Sequence, residues 1–202
     1  MSTVSNSLWS PEMQIMFRPA AAYQRLAGTQ SPAGKWWAMK RPLIFIFILA
    51  CTVSFTATGR LTLRLIIPAM IYACIEILIQ ALALAATRTG AQKLPFSRAF
   101  ALYFAGFGPW LFWFVAFAAI WIFALPEHAF RWTGPRYDGY VIAAFVFWTA
   151  YVDFCFFRYI FQITPRNAFL KLLTQRAISW IPAAIIFGGG SLWPEIIRSL
   201  TR

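Results

Sequence analysis

The chain has little charge, few acidic residues and almost no histidine. Of its 202 residues only 12% are charged, Asp and Glu together number six, and His128 is the only histidine. Soluble domains carry about 25% charged residues, so this composition excludes a water-soluble globule. With 60% hydrophobic and 19% aromatic residues, the chain also has too much apolar surface to remain disordered. The composition predicts an integral membrane protein.

The sequence also lacks the patterns of familiar catalytic and metal sites. It has no HExxH motif and no glycine-rich phosphate loop. Its one histidine, His128, does not combine with a nucleophile and an acid into a recognisable catalytic motif. The three cysteines, Cys51, Cys74 and Cys155, lie in apolar runs without metal-ligand spacing. We therefore expect no enzymatic activity, no catalytic or metal-binding residues and no cofactor.

Five apolar segments are long enough to cross a bilayer, which takes about 20 mainly apolar residues. They cover residues 43–58, 65–86, 97–125, 139–163 and 177–192. The predicted fold is an all-α integral membrane bundle of five transmembrane helices. Residues 1–41 form its N-terminal segment and residues 42–202 its membrane domain. The alternative for the fifth segment is a helix that lies in the membrane interface.

The excess of basic residues predicts the orientation. Of the 18 Lys and Arg, eleven flank the spans on the side of the N-terminus, six lie on the other side, and Arg158 falls within the fourth span. Cytoplasmic loops carry the excess of Lys and Arg, so the N-terminus is predicted inside and the C-terminus outside. The 14 Arg against 4 Lys, with abundant alanine, suit a GC-rich bacterial genome and thus a bacterial inner (cytoplasmic) membrane. The basic residues also favour contact with anionic lipid headgroups, not with nucleic acid.

The N-terminal segment mixes apolar and basic residues. Ile15, Met16 and Tyr23 alternate with Arg18 and Arg25. This mixture predicts a short cytoplasmic or interfacial helix, interrupted near Pro19. The alternative is an unstructured basic lead.

Three ionisable side chains lie inside the predicted spans: Glu76, Asp153 and Arg158. An ionisable residue in the membrane is costly and therefore a functional hypothesis by default. Glu76 and Gln80 belong to a helical stripe of small and polar residues that is predicted to face the bundle interior. Glu76, Gln80, Asp153 and Arg158 thus form a candidate intramembrane polar site. The two acids act either as a proton or cation relay or as packing groups that fix helix register.

Glycine and proline interrupt two of the spans. Gly106, Gly108 and Pro109 predict a kink or break in the third span. Gly188, Gly189 and Gly190 are expected to end the fifth helix, the alternative being that they permit its close packing. A broken helix either lines a binding site or has no ligand at all.

Two segments carry a resemblance to a known family. Residues 101–113 (ALYFAGFGPWLFW) in the third span and 148–157 (WTAYVDFCFF) in the fourth, after a cytosolic N-terminal region, resemble the YIP family of five-span membrane proteins in its bacterial branch. Asp153 departs from the small or aromatic residues that such helices carry. The resemblance implies an integral membrane adaptor without known catalysis, whose eukaryotic relatives associate with small GTPases. It assigns no residue a role.

Two functions from different classes follow. The first is a non-enzymatic accessory, assembly or scaffold subunit that packs against a membrane-protein partner or a second copy of itself. The second is a small proton-linked transporter or channel that uses Glu76 and Asp153.

Overall fold

The computed structural model is all-helical over the residues that it describes. The structure describes residues 10–28, 35–88, 94–123 and 135–200. Within these ranges it describes only the backbone of residues 35–38, 117, 120–123, 135–139, 142 and 186–200. The helices are α1 (Pro11–Phe17), α2 (Pro19–Gly28), α3 (Lys35–Thr58), α4 (Leu63–Thr87), α5 (Phe96–Ala105), α6 (Gly108–Phe123), α7 (Pro135–Cys155) and α8 (Pro165–Leu200), with a π-helical turn at Phe156–Ile160. The predicted all-α class is confirmed.

Four helical stretches of the described chain are long and apolar enough to cross a membrane. They are Met39–Thr58, Leu63–Thr87, Phe96–Ala116 and Ala143–Ile160. Each matches one of the first four predicted spans, because a run of about 20 apolar residues satisfies both helix propagation and the bilayer thickness. The fifth span and the orientation stay predictions.

The third span is broken where glycine and proline cluster. Gly106 and Phe107 form a turn between α5 and α6, and Pro109 falls in the first turn of α6, where a missing N–H costs no helical hydrogen bond. A Cβ atom at Gly106 would lie 2.6 Å from Tyr23 Oη and 2.9 Å from Val152 Cγ1. Glycine therefore lets α2 and α7 approach the break.

The chain reverses after α7. Beyond the π-helical turn, Gln162 has a left-handed φ of 49°, and Pro165 begins α8 at a position that favours proline. α8 then runs for 36 residues to Leu200. The predicted helix end at Gly188, Gly189 and Gly190 is wrong. A glycine costs only about 1 kcal/mol inside a helix, less than unpaired backbone groups cost among apolar surroundings.

The N-terminal residues form a helical pair that packs into the bundle. Ser10 caps α1 by accepting a hydrogen bond from Met13 N at 3.3 Å, and the break between α1 and α2 falls at Arg18, directly before Pro19. The side chains of Ile15 and Tyr23 are fully buried. An unstructured lead is therefore wrong for residues 10–28.

The main core lies at the end of the bundle where α1 and α2 pack. It combines one face of α5 with the π-helical turn, the end of α4 and the start of α8. Aromatic rings dominate it, with Tyr103, Phe156 and Tyr23 meeting edge to face at centroid distances of 5.4 and 5.7 Å. The candidate site lies next to this packed end, since Tyr103 belongs to both.

Candidate functional site: a polar cavity inside the bundle

A carboxyl with one buried oxygen and a buried amide lie one turn apart on α4. Gln80 Nε2 donates a hydrogen bond to Glu76 Oε1 at 2.7 Å, which the spacing of four residues along a helix permits. The stripe of small and polar residues on this helix also includes Ala73, Ala83 and Thr87, which are buried like Gln80, while Glu76 is half-buried. α4 therefore presents Glu76 and Gln80 to the bundle interior.

Gln80 connects α4 to α5 and α8. Its Oε1 accepts hydrogen bonds from Tyr103 Oη at 3.0 Å and from Gln175 Nε2 at 2.6 Å. Gln175 Nε2 also lies 2.6 Å from Tyr103 Oη. All three side chains are buried, and hydrogen bonds of this kind hold membrane helices in register.

An ion pair joins α7 to α8 beside this network. Arg176 Nη2 donates to Asp153 Oδ2, and the two side chains are only 14% and 7% exposed. The Arg176 guanidinium also lies over the Trp180 ring, 5.3 Å from its centroid, which is cation–π geometry. Asp153 is therefore a compensated charge.

These groups line one cavity of about 460 Å³, a size typical of small-molecule sites. Its polar lining consists of Glu76, Gln80, Tyr103, Thr149, Asp153 and Arg176. Its apolar lining comes mainly from Phe45, Leu49, Phe107, Trp110, Phe114 and Trp180. Side chains at successive turns of α3 and α4 line the cavity, so it extends along the bundle. Its polar groups are concentrated near the packed end.

Three buried polar atoms of the described chain have no hydrogen-bond partner: Glu76 Oε2, Gln175 Oε1 and Arg176 Nε. Buried polar groups in folded proteins are nearly always bonded, and leaving one unmade costs about 1–3 kcal/mol. Glu76 and Arg176 both line the cavity. A ligand there would meet unused acceptor and donor capacity.

The structure brings together three of the four residues of the candidate polar site. Glu76, Gln80 and Asp153 all line the cavity. Arg158 is not among the lining residues and belongs to the π-helical turn, with its guanidinium 5.2 Å from the Tyr159 ring centroid. The predicted kink residues contribute Gly106, which lines the cavity where α5 meets α6.

Gln175 and Arg176 are residues of the site that were not predicted from the sequence. They precede the apolar run that begins at Ala177, which placed them in a cytoplasmic flank. A usable signal was present, because Leu172, Gln175, Arg176 and Ser179 follow intervals of three, one and three residues, a helical face that begins before the apolar run. Three of these side chains are buried and Arg176 is nearly so.

The arrangement suits noncovalent binding and proton exchange. In the described part of the chain, no group of three His, Cys, Asp or Glu side chains is placed to hold a metal ion. Comparison with family models, curated proteins and solved structures finds no match to this chain, so the resemblance to the YIP family stays a prediction.

Proposed function

We propose that the protein is a small proton-linked membrane carrier whose substrate occupies the cavity between α3, α4, α6 and α8. The observation that carries this proposal is the cavity of about 460 Å³, which encloses Glu76 and Asp153 among apolar helices. Buried acids inside membrane proteins mark proton and ion pathways. A packing role alone gives no reason for a cavity beside them.

Glu76 is the residue that we assign to the proton. Asp153 already has Arg176 as its counter-charge, whereas among the described residues Glu76 forms no ion pair and its Oε2 has no hydrogen-bond partner. A proton or a ligand can occupy this free oxygen without breaking a hydrogen bond among the described residues. The substrate and the proton can then bind to the same Glu76 carboxyl in turn.

The proposal places this bundle in a bacterial inner membrane with the N-terminus inside. The excess of Lys and Arg on that side supports the orientation. α8, at 36 residues, is about 54 Å long at 1.5 Å per residue, and a bilayer core is about 30 Å thick. Its length supports a fifth crossing. The accessory or scaffold function stays a prediction. No surface among the described residues specifically favours it.

Flux measurements in proteoliposomes test this function. Vesicles with entrapped pyranine are given a pH gradient and then a panel of amphipathic cations, anions and neutral compounds. We expect at least one class to change the internal pH faster than in empty vesicles. Glu76→Gln should remove that change, because the amide cannot exchange a proton.

Glu12→Gln serves as the matched control. Glu12 pairs with Arg41 outside the cavity, so the same substitution there should leave the flux intact. If no class of compound produces protein-dependent proton flux with wild-type protein, the carrier function is refuted.

A further inference from the structure

The charges that line the cavity do not cancel. Asp153 and Arg176 neutralise each other at hydrogen-bonding distance, and no other basic residue belongs to the lining that the structure describes. Glu76 remains as one uncompensated carboxyl. Its Oε1 accepts from Gln80, which is neutral, and its Oε2 has no partner among the described residues. Among the described residues an ionised Glu76 therefore has no counter-charge, and a cation bound in the cavity would supply one.

Much of the cavity wall is aromatic. Tyr72, Phe107, Trp110, Phe114 and Trp180 line the same cavity. The face of an aromatic ring attracts a cation within about 6 Å, more strongly where water is excluded. The Arg176 guanidinium already lies over Trp180, which shows that this lining accommodates a delocalised positive charge.

Part of the cavity lining is exposed at the surface of the bundle. The lining residues Val53, Tyr72 and Trp180 are 40%, 47% and 44% exposed. All three lie on helices that pack against one another along the bundle, since α4 contacts both α3 and α8. In a bilayer such exposed apolar edges face hydrocarbon. A molecule with an apolar body can therefore enter from the lipid phase.

We propose that the cavity takes an amphipathic monovalent cation in exchange for one proton on Glu76. The cation binds as the Glu76 carboxyl releases its proton to water, and proton binding to the carboxylate expels the cation. One positive charge thus replaces another in the cavity. This inference rests on the proposed carrier function and names its substrate class.

The groups around Glu76 permit this exchange. Gln80 and Tyr72 share its helix, α5 contributes Tyr103, α7 contributes Asp153 and α8 contributes Arg176. α3 adds only Phe45, Leu49 and Val53. Since Asp153 and Arg176 compensate each other, protonation of Glu76 is the step that changes the charge offered to a ligand.

Equilibrium binding of two ions of the same shape and opposite charge tests the inference. Tetraphenylphosphonium and tetraphenylborate are titrated against the full chain in nanodiscs, with empty nanodiscs subtracted. We expect saturable binding of tetraphenylphosphonium, weaker by up to about tenfold for each unit that the pH is lowered. Tetraphenylborate should not compete for the site.

Variants identify the group that binds the cation. Glu76→Gln should weaken tetraphenylphosphonium binding at least about tenfold and remove its pH dependence, while Glu12→Gln leaves both unchanged. Arg158→Gln removes a charge from a residue that is not among the described lining of the cavity, so its affinity should stay within a few-fold of wild type. This variant separates loss of the Glu76 carboxylate from a general effect of removing charge from the bundle.

The outcomes separate the two proposals. Equal or stronger binding of tetraphenylborate, or cation binding that Glu76→Gln leaves unchanged, overturns the cation inference. So does the absence of saturable binding of either ion. If the proteoliposomes still show proton flux with another class of compound, the carrier function survives with a different substrate, and if they show none, both proposals fail.

Discussion

At the scale of single residues, the site depends on which charges are compensated. Asp153 and Arg176 are both buried and paired, so each makes the burial of the other tolerable. Removing one partner of such a pair costs more than removing both, because the survivor is left as an isolated buried charge. Glu76 differs because its compensation is left to a proton or a ligand.

Asp153→Asn or Arg176→Gln alone should destabilise the protein by about 3–5 kcal/mol, and the double variant by less. The free energy of unfolding, measured by denaturant titration in mixed micelles, checks this. Arg158→Gln is the matched control and should cost less than about 1 kcal/mol, since Arg158 only lies over the Tyr159 ring. Equal losses for the double variant and the two single variants combined would contradict the pairing.

Gly106→Ala should destabilise the protein by about 1–3 kcal/mol through overpacking. The added Cβ meets Tyr23 Oη at 2.6 Å and Val152 Cγ1 at 2.9 Å, and both belong to packed helices. Tyr23→Phe in the same chain should recover part of the loss by removing the nearer atom. Gly28→Ala, where a Cβ has nothing within 4 Å, should be neutral in the same thermal unfolding assay, and an equally neutral Gly106→Ala would argue against this packing.

At the scale of helices, α1 and α2 are held to the bundle by specific bonds. Trp148 Nε1 donates to Met16 O at 2.9 Å. Arg41 on α3 donates to Glu12 at 2.7 Å and to Ala101 O at 3.2 Å, so one guanidinium joins α1, α3 and α5. Tyr23 occupies the space that Gly106 leaves. The N-terminal pair is therefore fixed to α3, α5 and α7.

The Glu12–Arg41 pair should make stability depend on pH. Burial alone would raise the pKa of Glu12. The hydrogen bond and charge of Arg41, together with hydrogen bonds from the Glu12 backbone and from Ser10, outweigh burial and hold the pKa below its ordinary value of 4.5. A carboxyl whose pKa is lower in the folded than in the unfolded state stabilises the fold at pH values above the unfolded-state pKa. This stabilisation is lost as the pH falls through the folded-state pKa.

Melting temperatures of wild type and Glu12→Gln should therefore converge as the pH falls from about 7 to about 3. The variant lacks the carboxylate at every pH, so wild type should be the more stable chain only at the upper end. A constant difference across the whole range would show that the pair contributes nothing that titrates.

At the scale of the whole molecule, the expected topology rests on the distribution of basic residues and on the length of α8. We expect five crossings with the N-terminus inside and the C-terminus outside. In a background without native cysteines, a membrane-impermeant maleimide added to spheroplasts should label Thr201→Cys and not Ser10→Cys. Inverted vesicles should show the reverse. Failure to label Thr201→Cys from outside, with labelling in inverted vesicles, would establish four crossings.

Much of this architecture follows from local patterns. The spans follow from apolar runs, and the inward placement of Gln80 follows from helical spacing. The partner of Asp153 did not follow, because Arg176 lies 23 residues away in sequence and its flank resembles a cytoplasmic loop. The burial of Tyr23 likewise depends on Gly106, and no local pattern around Arg18 or Arg25 reveals a contact across so many residues.

The most direct test of the central claim is the reactivity of Glu76 in the membrane. Dicyclohexylcarbodiimide, a lipid-soluble reagent, modifies protonated carboxyls in apolar surroundings, and mass spectrometry locates the product. If Glu76 exchanges a proton with water through the cavity, it should be modified, less so as the pH is raised, and Glu76→Gln should leave no product at this position. Folded protein in which Glu76 resists the reagent at every pH would contradict the claim.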